Sequence, residues 1–145
     1  ASGTEGHRTR WTRPDFILVS ARRFKLMPGA QVDLRSFELN TEAGGNVLAI
    51  HEALAQTRFT HFGNLVWHLP SQSKSESILD DMVTHCEEHG IGLIRMRDPL
   101  APEACELIVD PRRKPTSSSI VDGFLESRLP DRQKAQIMQA IGHAT

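Results

Sequence analysis

The sequence lacks the features that mark several large protein classes. No apolar run approaches the roughly 20 residues of a membrane-crossing helix, so a transmembrane role is not expected. The opening residues, Ala1 to Gly6, do not follow the basic-then-apolar order of a signal peptide. Cys86 and Cys105 are the only two cysteines, too few for a disulfide scaffold or a four-cysteine zinc site. A reducing, cytoplasmic setting is expected. No Gly-Lys-Ser/Thr ending follows Gly44-Gly45-Asn46, so this stretch reads as a flexible turn ahead of a helix. There is no Gly-x-Ser-x-Gly elbow, no defensible Ser/His/Asp arrangement and no internal repeat. His85 and His89, four apart, share a helix face, but a structural zinc needs four ligands and no convincing fourth accompanies them.

Net charge is also scarce, at −1, but the total conceals a segregated distribution. Residues 1–35 carry +4, residues 36–110 carry −8 and residues 111–145 carry +3. Basic ends around an acidic middle suit a protein that grips polyphosphate and holds a metal between. The same arginines and lysines also suit a solvated surface. With 145 residues, 39% hydrophobic and 24% charged, the chain has the size and composition of one globular domain.

Residues 16–19, Phe-Ile-Leu-Val, are short, apolar and β-branched, and predict a buried strand. Residues 32–40 alternate, with an irregularity near Ser36 that suggests a bulge, and predict a strand antiparallel to the first. Residues 47–59 have helical spacing and 65–69 read as a strand. Ser77 is placed to cap a helix whose apolar stripe runs to Cys86, and His89-Gly90 ends it. Residues 91–96 return to strand, and 105–109 form a last short strand or edge. Strands alternating with helices predict parallel pairing. After Pro111, a basic and serine-rich stretch leads to helical patterns over 120–129 and 131–141. The expectation is an α/β domain over residues 1–110, with 111–145 as a basic linker and helical C-terminal extension of it.

On this frame, Asp15 stands at the entrance of the first strand. Glu38 and Asn40, two apart, leave the same face of the second. A hairpin brings the two carboxylates side by side, where they can bind a hard divalent cation through oxygen. Alone, Asp15 after Pro14 reads as a turn residue and Glu38 as a solvated strand face. Asp33 and Glu5 are further acids that could join the site.

Pro14-Asp15, a gap, then Glu38-Leu39-Asn40, with a hairpin, a helix and a strand in succession, resembles the PD-(D/E)xK nuclease superfamily. The resemblance covers roughly the first half of the chain. It implies a restriction-endonuclease-like core, a mixed central β-sheet flanked by helices, with a helical C-terminal appendage. It also implies an endodeoxyribonuclease dependent on Mg²⁺ (or Mn²⁺), working in DNA restriction or defence as a homodimer or within a larger protein. Asp15 and Glu38 become metal ligands, and Gln56, with Glu52 and Arg58, falls where branches of the family carry polar helix residues. The usual third motif residue is Lys, and Asn40 stands in its place. Asn40 can still position water or phosphate, and Lys25 or Arg58 is the nearest basic candidate by topology. The alternative implied is an inactive DNA-binding or assembly module of the same fold. Arg10, Arg13, Arg22, Arg23, Lys25 and Arg58 are candidate phosphate contacts. Trp11, among arginines, could stack on a base, Trp67 reads as core, and His51 or His61 could touch phosphate.

Overall fold

The computed structural model describes residues 14–142. Two strands, β1 (Phe16–Arg23) and β2 (Ala30–Asn40), form an antiparallel hairpin. A 3₁₀ turn (Glu42–Gly44) leads to α1 (Val47–Gln56) and β3 (Phe62–His68). Then come α2 (Leu79–His89), β4 (Gly92–Met96), β5 (Cys105–Val109), α3 (Ser118–Arg128) and α4 (Asp131–Ala140). The five strands lie in the sheet in chain order. β2, β3 and β4 are mutually parallel, while β1 and β5 run antiparallel to their neighbours. The protein is therefore α/β with a mixed sheet, as its alternating pattern predicts.

The expected bulge near Ser36 is absent. The β1–β2 register runs unbroken from Phe16 opposite Phe37 to Arg23 opposite Ala30. Ser36 is fully buried on the same face as Leu34, its hydroxyl 3.2 Å from Thr60 Oγ1 and 3.3 Å from Phe62 O. A polar residue thus takes an inward position without a slip, because its hydrogen bonds are met. Phe37 and Leu39 are apolar but belong to the other face, where Phe37 stacks on Phe16 at 4.7 Å.

Local chemistry sets the helix boundaries. Asn46 caps α1, its side chain accepting from the Ala49 N–H at 3.1 Å. The helix closes at Gln56, short of the expected residue 59, and buried Phe59 follows it. Ser77 does not cap α2. It lies within a 3₁₀ turn (Lys74–Ile78) whose cap is Ser73, accepting from the Ser75 N–H at 3.1 Å. Gly90 ends α2 in the left-handed region at φ 70°, where glycine carries no Cβ penalty.

The core has two parts. One gathers Ala49, Ile50 and Ala53 of α1, Met82 and Cys86 of α2, and Leu65, Trp67 and Leu93 of the sheet. The other gathers Leu34 and Phe59 with Val121 and Phe124 of α3, backed by Ile17, Val19 and Val32. By strand alternation these sheet residues share one face, so α1, α2 and α3 pack on the same side. Among the described residues, no helix is long and apolar enough to cross a membrane.

Candidate active site

Asp15 is fastened to β2 by its backbone and its side chain. Its N–H donates to Phe37 O at 3.2 Å, and its Oδ2 accepts from the Leu39 N–H at 2.6 Å. These partners flank Glu38, so the Asp15 carboxyl comes within hydrogen-bonding reach of the Glu38 carboxyl. The two acids expected to meet across the hairpin are together.

Glu38 points to the helix-covered face, where fully buried Gln56 donates Nε2 to its Oε2 at 2.7 Å. Glu52, one turn earlier on α1, adds negative charge. Burial first, then the hydrogen bond and charge of Asp15, push the Glu38 carboxyl up to about 7, with Glu52 adding and Gln56 opposing. No cationic side chain figures among the described groups acting on Glu38. Near neutral pH the Glu38 carboxyl therefore holds on to its proton, and a cation would displace it.

Two polar atoms here lack partners. Asn40 Nδ2, a donor, and Gln56 Oε1, an acceptor, are buried without a hydrogen bond among the described residues. Such orphans are rare in folded proteins and call for a ligand or ordered water. The donor set fits a hard divalent cation. Among the described residues, no group of three or more His, Cys, Asp or Glu is placed to hold a metal. Two carboxylates would leave the remaining positions to water and substrate oxygens, the pattern that suits Mg²⁺.

The basic residues are placed elsewhere. Arg22 and Arg23 end β1, and Lys25 follows in the hairpin connection, on the order of 25 Å from Asp15 along an extended strand. The Arg22 guanidinium lies over Phe24, 5.2 Å from the ring centroid. Arg23 lies against Gly142, just past α4, where a helix C-terminus favours positive charge. Arg58 is exposed after α1, and its carbonyl accepts from Thr116 Oγ1 at 2.7 Å. Lys25 therefore supplies no basic group beside Asn40: the hairpin carries it to the end opposite Asp15. Arg10, Arg13, Trp11 and Glu5 lie outside the described residues.

Several other candidates have structural roles. Asp33 faces away from Glu38 and accepts from Arg113 and Gln31. Burial alone would raise its carboxyl, but these hydrogen bonds hold it below its usual value. His61 is buried, with Nδ1 accepting from the Leu34 N–H at 3.0 Å. Trp67 is fully buried core and donates Nε1 to Glu42 O at 3.1 Å. Gly45 lies against it, since a Cβ there would overlap the indole. His89 meets His51 of α1, ring centroids 5.3 Å apart, a contact between two helices that spacing along one helix could not reveal. Glu52, singled out with Gln56 through the family resemblance, lies one turn before it on α1 and acts on the same carboxyl.

Comparison of the chain with known families, curated proteins and solved structures finds no match.

Proposed function

We propose that this protein is a divalent-cation-dependent endodeoxyribonuclease of PD-(D/E)xK type, with a restriction-endonuclease-like core serving DNA restriction or defence. One observation carries the reading: Asp15 and Glu38 converge at the open end of a hairpin, beside orphaned polar atoms of Asn40 and Gln56. Asp15 and Glu38 would hold Mg²⁺ or Mn²⁺. The ion would supply charge neutralisation at a phosphate oxygen and acidify a bound water. Gln56 fixes the Glu38 carboxylate, and Asn40 offers Nδ2–H to water or phosphate. Cutting both strands calls for two such sites, hence a homodimer or a larger protein.

The test is plasmid nicking in Mg²⁺ and Mn²⁺. Cleavage is expected, falling at least 10²-fold in Asp15→Ala and in Glu38→Ala, the scale of losing a transition-state stabiliser. Asn40→Lys is expected to raise the rate. Absence of nicking in either metal, by the wild type and by Asn40→Lys, would sink the enzymatic reading.

A second reading has its own support, Asn40 in the motif-Lys position with no cationic group acting on Glu38 among the described residues. It is an inactive DNA-binding or assembly module of the same fold. It predicts salt-dependent DNA affinity that survives both alanine variants, without cleavage.

A further inference from the structure

A cavity of about 690 Å³ lies between the start of β2, the 113–118 segment and helices α3 and α4. Its volume falls among those of small-molecule sites, about 300–1,000 Å³. It shares no lining residue with the acidic site.

One wall presents donors. His61 is only 6% exposed. Because its Nδ1 accepts from Leu34, the neutral ring carries its proton on Nε2, and no acceptor meets that N–H among the described residues. Arg113 spends Nε and Nη2 on Asp33 Oδ1, at 3.2 and 2.9 Å, which leaves Nη1 over. Ser118 opens α3, whose first turn holds no acid, so its leading amides and the helix dipole add positive potential. The other wall is apolar, with Phe24, Leu125 and Ile137. Asp122, further along α3, is an opposing charge on the lining.

We propose that this cavity binds a small, free amphipathic anion, its oxyanion head held by His61, Arg113 and the start of α3 and its apolar body against Phe24, Leu125 and Ile137. The inference is independent of the nuclease reading.

Calorimetric titration with decanoate, against decyltrimethylammonium as the cation of equal tail, tests it. Decanoate should bind and the cation should not. Arg113→Gln should weaken decanoate about tenfold, the scale of one charge-assisted hydrogen bond. Asp122→Asn should tighten it. Ala30→Trp, at an exposed lining position, should fill the cavity and abolish binding while circular dichroism reports an intact fold. Equal binding of both amphiphiles, or decanoate binding unchanged in Arg113→Gln and Ala30→Trp, would overturn the proposal. Cosedimentation with anionic phosphatidylglycerol vesicles separates the two sources of such a headgroup. No cosedimentation is expected, and binding lost in the same variants would overturn the free-molecule assignment.

Discussion

At the residue scale, the Glu38 carboxyl carries the clearest signature. Its proton is held up to about 7 against an ordinary 4.5. The folded protein therefore binds this proton more tightly than the unfolded chain. The resulting stabilisation is complete below about 4.5 and is lost as pH rises through about 7. In a chelator, denaturation at pH 5 and pH 8 should show the wild type losing stability relative to Glu38→Gln, which cannot titrate. A wild type and variant that keep the same difference at both pH values would contradict the raised Glu38 carboxyl. The pair itself was legible in the sequence, because alternation along β2 fixes the facing of Glu38 and the hairpin fixes its neighbour. The positions of the basic residues were not. Arg22, Arg23 and Lys25 lie close to Asp15 in sequence, but an extended strand converts seven to ten residues into the full length of the sheet.

At the element scale, polar and glycine residues decide more than apolar periodicity does. The pattern of β2 suggested a bulge because Ser36 interrupts it. The strand stays regular since Thr60 and Phe62, brought in by the next crossover, satisfy the hydroxyl. Those partners lie more than 20 residues away, beyond any local pattern. The cap of the segment before α2 likewise fell to Ser73, because a 3₁₀ turn intervenes where periodicity alone predicts helix. Gly45 is the sharpest case. A methyl group there collides with fully buried Trp67, whose indole is also tied to Glu42 O. Gly45→Ala should cost about 1–3 kcal/mol by overpacking, measurable by urea denaturation. A loss below a few tenths of a kcal/mol would show that the turn yields instead.

At the scale of the whole molecule, the C-terminal segment is less an appendage than its composition suggests. Val121 and Phe124 of α3 are buried, and Phe124 stacks on Phe59 at 4.2 Å. They complete the cover over Leu34, which neither α1 nor α2 supplies. Phe124→Ala should lose about 3–5 kcal/mol, and removing residues 118–142 should expose this face and lower the unfolding midpoint further. A truncated chain with an unchanged midpoint would show the two parts to be independent. The α/β class and the order of elements were readable because each strand–helix alternation is encoded locally. The attachment of α3 was not, since it depends on contacts between residues some 60 to 90 positions apart.

The strands occupy the sheet in the order in which they are translated. Each new strand can therefore join an existing edge as it leaves the ribosome, without waiting for a distant segment. The hairpin bearing both acids completes its register before α1 is added to the chain. The acidic pair can thus assemble ahead of the helix, and Gln56 later closes over a carboxylate that is already in place.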